Sequence, residues 1–375
     1  MSSSQNFKYL DELIHDDVDE IALDSDIVLS GLEEFEYSEG INLDVDDLVI
    51  DGNGHFIDAC KKARIFNCTG SNITLKNITL KNGYNEENGG AIYIEEGELS
   101  IIESAIIGNS AGEDGGAIHN DEGELIIENS TFTQNDSQDH GGAINNWGKI
   151  NVRQSTFKDN KANHGGAIFN DGSELEIIEN MFSQNSANNG GALFNNDVGE
   201  LTIAKSILKE NSAESGGAIF NENCDMDIAD STFEGNSASH DGGAIRNAGE
   251  MIISKSTFND NVANRDGGVI LNYRGDLTIK ESAFNTNIAG RNGGAINNCD
   301  SEMTIVGSML RQNKAENGGA VYNNKSVLTV EESELAENES NICGGAIWIN
   351  KIKDYESNDS TFKDNKPDDV YEDNG

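Results

Sequence analysis

The sequence predicts an all-β chain, a single-stranded right-handed parallel β-helix with three short strands per coil of about 25 residues, and three observations lead there. Gly-Gly followed by Ala or Val and an aliphatic residue recurs eleven times, beginning at Gly89, Gly115, Gly141, Gly165, Gly190, Gly216, Gly242, Gly267, Gly293, Gly318 and Gly344, in steps of 24 to 26 residues. A large apolar residue, two variable residues and Asn keep the same phase, as in Phe132/Asn135, Phe157/Asn160, Leu208/Asn211 and Phe258/Asn261. Between them sits an alternating pair such as Leu125-x-Ile127, Leu201-x-Ile203 or Leu277-x-Ile279.

Each unit therefore holds three stretches of period-two alternation separated by Gly, Asn, Asp and Ser, and none has helical spacing. A unit this thin cannot bury its apolar face alone, so successive units must stack and each strand must pair in parallel with its counterpart one coil along. Residues at one phase then form columns. Phe132, Phe157 and Phe182 are expected inside as an aromatic column. The Asn after each apolar residue, and a second set running from Asn120 to Asn323, are expected as side-chain amide ladders. Ile94 and Ile349 replace that second Asn in the first and last regular units.

The ends differ from the middle. Residues 1–20 read as an N-terminal cap in which Phe7, Lys8, Tyr9, Leu10, Asp11, Glu12, Leu13 and Ile14 have helical apolar spacing; residues 21–88 read as irregular first coils, and 89–375 as regular repeats. The chain ends at Asp369-Val-Tyr371, where another Gly-Gly strand is due, and an uncovered strand edge there invites end-to-end self-association.

Composition narrows the function classes. The apolar fraction of 36% rises to about 47% with the 41 glycines, within the ordinary soluble range. The formal charge of -42 repels nucleic acid and anionic membrane, because phosphate binding needs Lys and Arg. No segment has the length and apolarity to insert in a bilayer, and the opening Met1-Ser-Ser-Ser-Gln-Asn has no signal-peptide features, so on the residues alone a cytoplasmic location stays open. Five cysteines without C-x-x-C spacing predict neither disulfides nor zinc. A column of alternating charge, Glu179, Lys205, Asp230, Lys255 and Glu281, predicts register-fixing ion pairs between coils.

Candidate sites follow from the position pointing outward after each Gly-Gly. There Phe169, Phe194 and Phe220 occupy three consecutive coils and Tyr322 and Trp348 two more, which predicts exposed aromatic strips suited to sugar rings or an apolar protein face. Packing under a turn or against a neighbouring chain is the competing expectation. No acid pair appears in that column, and Glu176 and Asp227 in the next are separated by the coil of Thr202, so no catalytic residues are assigned. His140 and His164 precede Gly-Gly in adjacent coils without a fixed third ligand, so no metal site or cofactor is assigned. Acidic turns such as Glu113-Asp114 and Asp121-Glu122 are suited at most to loosely held Ca²⁺.

The signatures Gly-Gly-Ala-Ile and Phe-x-x-Asn resemble the repeats of chlamydial polymorphic membrane proteins. With Asp47-Leu-Val-Ile-Asp-Gly-Asn-Gly-His-Phe-Ile57, Ala63-Arg-Ile-Phe66 and Asn72-Ile-Thr-Leu-Lys-Asn-Ile-Thr-Leu-Lys-Asn-Gly83, the chain is still more similar to adhesin-like β-helix proteins of methanogenic archaea. The resemblance implies a cell-surface or extracellular, non-enzymatic adhesive protein that meets a glycan or protein surface. A carbohydrate-active enzyme on the same scaffold, lyase or hydrolase, and an intracellular structural or assembly protein are the alternatives, since fold does not decide function.

Overall fold

The computed structural model describes residues 4–16, 18–197, 199–350 and 354–373 and shows a parallel β-solenoid of about 13 coils, three strands to a coil, with one short N-terminal helix. It divides into two units, 1–185 and 186–375.

In the N-terminal unit the helix Phe7–Ile14 begins at Asn6, whose side chain accepts the Tyr9 N–H, and buries Phe7, Leu10 and Ile14 over the strands Ile27–Val28 and Ile41–Leu43. Three parallel sheets follow, one for each phase of the repeat. The sheet after Gly-Gly runs from Ile41–Leu43 to Ile168–Asp171, the Leu-x-Ile sheet from Glu20–Ala22 to Leu175–Ile178, and the Phe sheet from Ile27–Val28 to Met181–Ser183. In the C-terminal unit the same sheets run from Leu193–Asn196 to Val370–Asp373, Glu200–Ala204 to Tyr355–Asn358, and Ile207–Lys209 to Thr361–Lys363.

The columns form as the repeat requires. Phe132, Phe157 and Phe182 are register partners with ring centroids 4.9 and 4.8 Å apart and nearly coplanar faces, all fully buried. The C-terminal unit repeats this with Phe233, Phe258 and Phe284. Truncating Phe157 to Ala is expected to cost about 3 kcal/mol, at the low end for a buried aromatic because the rings above and below can close over the space. Denaturant unfolding followed by circular dichroism measures this, and a loss under about 1 kcal/mol would contradict the column.

The ladder Asn at the end of each Phe strand is fully buried in most coils, and its Nδ2 donates both to the next Asn Oδ1 and to a carbonyl. Asn135, for instance, bonds Asn160 Oδ1 at 3.0 Å and the Ile106 carbonyl at 3.0 Å. The second ladder starts at Asn120, whose Nδ2 reaches Asn146 Oδ1 at 2.6 Å. Asn120 Oδ1 is buried without a partner, because the coil before it carries Ile94, which cannot donate.

Three features differ from expectation. A short fourth pairing precedes most of the Gly-Gly pairs, as in Ser110–Ala111 with Asp136–Ser137 and Ser237–Ala238 with Val262–Ala263. The alternating-charge column sits at left-handed turn positions, with Glu179, Lys205, Asp230, Lys255 and Glu281 all at φ between 48° and 59°, and among the described residues Asp230, Lys255 and Glu281 form no ion pair with one another, so the backbone bend is what these positions share. Finally, Val370–Asp373 does form a strand of the Gly-Gly sheet without its own Gly-Gly. The Asp368 carboxylate accepts the Gly344 and Gly345 N–H groups at 2.7 and 3.0 Å, where other coils use a backbone carbonyl.

Candidate functional site

The outward column after Gly-Gly carries mostly rings and amides, with Arg246 and Leu271 among them, but it is not the exposed strip expected. In the N-terminal unit Phe169 is 6% exposed, with His140 from the turn before Gly141 tilted onto it at 4.4 Å. In the C-terminal unit Phe194 and Phe220 are each 7% exposed, their rings stacked at 4.7 Å, and the Arg246 guanidinium lies over Phe220 at 4.3 Å. Trp348 is 8% exposed and stacked on the half-buried Tyr322 at 4.2 Å. The physical reason is the coil spacing. At about 4.8 Å per coil a ring in one coil touches the ring in the next, so in-register aromatics hide each other's faces. Burial also pushes the Tyr322 hydroxyl up to about 12.

Tyr371, the register partner of Trp348, projects from the column at 38% exposure, and a further half-exposed ring stands beside the column on a residue that sequence reading passed over. Arg64, almost fully buried and bonded to the Asn88 and Gly89 carbonyls, sits 5.1 Å over Tyr93. Tyr93 stacks on the buried His119 at 5.2 Å and donates its hydroxyl to Asp121 at 2.9 Å; burial, reinforced by that carboxylate, pushes its pKa up to about 12. The Asn145 amide lies 3.2 Å from His119 Nδ1, and its buried Oδ1 has no partner, since the next residue in the column is Phe169. Burial holds the His119 imidazole below its ordinary value and so in its neutral form. Against this stack, edge to face at 5.4 Å, rests Trp147, which is 49% exposed. Its backbone N–H is fixed to the Asn120 carbonyl at 2.8 Å. The coil is one residue shorter at this turn than its predecessor, so the indole stands on the sheet edge beside Asp121. A rigid, half-exposed indole with a carboxylate nearby can stack a sugar ring or an apolar side chain and offer an acceptor to a hydroxyl.

His140 and His164 do meet, with rings 5.4 Å apart and nearly parallel. His140 Nδ1 is 2.8 Å from Asp114, and that hydrogen bond raises the His140 pKa. No group of three metal-ligating side chains occurs among the described residues. Because the raised value belongs to the folded state, the His140–Asp114 contact contributes stability that is full below 6.5 and is lost as pH rises through the raised value. A His140→Gln variant is therefore expected to lose stability relative to the parent chain below 6.5 and to lose less above the raised value. Thermal unfolding at both pH values tests this, and a pH-independent difference would contradict it.

Residues 5–138 match the family model of a putative pectate lyase-like adhesive domain, and residues 154–171 and 230–248 match the chlamydial polymorphic membrane protein repeat. No curated protein matches the chain. Among solved structures it is similar to an alginate lyase, AlyF-OU02, in complex with G6, at 13% identity and a TM-score of 0.45. It is similar to a PL6 alginate lyase bound to a trisaccharide at 11% and 0.46, and to the periplasmic alginate epimerase AlgG at 10% and 0.40. Each likeness covers 96% of this chain and 84% of the other. By sequence, the chain is thus similar to a putative adhesive domain in its N-terminal part and to chlamydial surface-protein repeats in two of its coils.

Proposed function

We propose that this chain is a non-enzymatic, adhesin-like binding protein, displayed at the cell surface or outside the cell, that meets a glycan or protein partner with the edge of its Gly-Gly sheet. The observation that carries this reading is Trp147, a half-exposed indole held against the buried His119 beside a column whose Phe169, Phe194, Phe220 and Trp348 rings are buried. The similarity of residues 5–138 to an adhesive domain supports it from a separate direction. His119, itself stacked on Tyr93, packs against the indole, so little side-chain freedom is lost when a partner stacks on it. The net charge of -42 favours neutral or cationic partners.

A glycan array read with the intact chain, followed by titration under Trp fluorescence, tests this. Trp348 is buried, so a change on binding reports Trp147. Trp147→Ala is expected to weaken the best array hit at least about tenfold, the equivalent of 1.4 kcal/mol, and Trp147→Phe to keep most of the binding. Silence across glycan and protein partners, or equal binding by Trp147→Ala, would overturn the reading. Release of product from a polysaccharide would move it to a carbohydrate-active enzyme.

A further inference from the structure

The C-terminal unit carries a furrow that the sequence motifs build but that none of the assignments above uses. The residue before each ladder Asn must bend the chain sharply from the Phe strand into the short fourth strand. Asp260, Thr286, Gln312, Glu337 and Asp364 accordingly all have φ between 54° and 57°. The residue after the ladder Asn then faces the one before it across the bend. Stacked over successive coils, the two columns enclose about 770 Å³ along a run of about 19 Å, with buried Asn338 among the lining residues.

The chemistry of the two columns is specific. In the first, Thr286 Oγ1 donates to Asp260 at 2.6 Å and Gln312 Nε2 donates to Glu337 at 2.8 Å. In the second, Ile288, 44% exposed, is followed by Lys314, paired with Glu339 at 3.0 Å, and by Lys366. Each carboxylate and amide used in one such bond keeps further acceptor or donor capacity. Donors and acceptors thus both line the furrow at the coil spacing, with Glu337 and Asp364 adjacent acceptors in the first column and one apolar rung in the second.

We propose that this furrow binds an uncharged, hydroxyl-rich oligosaccharide lying across successive coils. Hydroxyl groups both donate and accept, as a lining that mixes carboxylates, a hydroxyl, an amide and ammonium groups requires, and Ile288 meets the C–H face of a ring. Carboxylates outnumber ammonium groups in the furrow and the whole chain carries -42, so a uronate chain is repelled. The inference deepens the glycan-binding reading but rests on different residues, and the two are separable.

Nuclear magnetic resonance of the intact isotope-labelled chain distinguishes them, with the Gln312 side-chain amide reporting the furrow and the Trp147 indole N–H reporting the sheet edge. The probes are the neutral hexamers of cellulose, xylan, mannan and amylose, and the hexamer of galacturonate. At least one neutral hexamer is expected to shift the Gln312 resonance saturably. Ile288→Asp is expected to weaken that binding at least tenfold with an unchanged circular dichroism spectrum, and Gln312→Gly, which suits the left-handed bend, to weaken it as well. Galacturonate is expected to leave Gln312 unmoved. A Gln312 signal indifferent to all four neutral hexamers would overturn the proposal, as would equal binding of galacturonate. Movement of Trp147 alone would leave the sheet-edge reading standing and sink this one, and movement of Gln312 alone would do the reverse.

Discussion

Gly268→Ala is expected to abolish cooperative folding of the C-terminal unit, a loss of about 5 kcal/mol or more. The two glycines of each pair are required for different reasons. Gly267 has φ of 67°, in the left-handed region that a side chain disfavours. Gly268 is confined by its neighbours: a Cβ there would fall far inside contact with the Gly294 carbonyl oxygen of the next coil, and 2.8 Å from the Ile288 carbonyl carbon. These are backbone atoms held by the parallel pairing, with Gly268 N–H bonded to the Gly293 carbonyl at 3.0 Å, so no side-chain rotation relieves the overlap. The same approach recurs at Gly217, Gly243 and Gly294, which is why the pair persists through the repeat. Val269→Ala in the same coil is the control, because Ala occupies that position in most coils and the effect should be small. Urea unfolding of both variants decides it. A Gly268→Ala chain with near-parental stability would show that the coils are further apart than described.

Asn261→Ala is expected to cost about 4 kcal/mol, more than its volume alone would explain. Asn261 Oδ1 accepts the Asn236 backbone N–H and the Asn236 Nδ2, both at 3.0 Å. Its own Nδ2 donates to the Phe233 carbonyl at 3.0 Å and to Asn287 Oδ1 at 3.1 Å. Truncation strands these groups in a site from which water is excluded, since Asn236, Asn261 and Asn287 are all fully buried. Comparison with Asn259→Ala, two residues away and partly exposed, isolates the ladder term, because the Asn259 side chain bonds only at the surface, to Asn285 at 3.0 Å. Equal losses at the two positions would mean that the ladder contributes nothing beyond ordinary hydrogen bonds.

Both effects arise from positions whose roles are legible in the sequence, because stacking makes one residue's requirement every coil's requirement. Phe157 and Asn160 declare themselves by recurring at the same phase, and the helix Phe7–Ile14 by its apolar spacing. What stays hidden depends on a single coil's neighbours. The fourth pairing is two residues long in most coils and rich in Ser and Ala, too short for alternation to register. That Phe194 points outward follows from the pattern, but that Phe220 then covers it follows only from ring thickness matching coil spacing. Trp147 left one trace, the 24-residue step from Gly141 to Gly165, which marks its coil as shorter than those before it. The furrow before and after the ladder Asn left none, because its residues vary in type and only those before the Asn share a left-handed backbone.

The most direct test is the distance between outward positions of one strand column in the C-terminal unit. Thr232, Thr257, Ala283, Met309, Glu334 and Thr361 are successive register partners. Spin labels at Thr232 and Glu334, four coils apart, are expected at a backbone separation of about 19 Å, and labels at Thr232 and Thr361 at about 24 Å, growing by one coil spacing. Distances that fail to increase by one such step per coil, or that match a folded-back arrangement with Thr361 nearer than Glu334, would contradict the stacking on which the columns, the ladders and both binding surfaces depend.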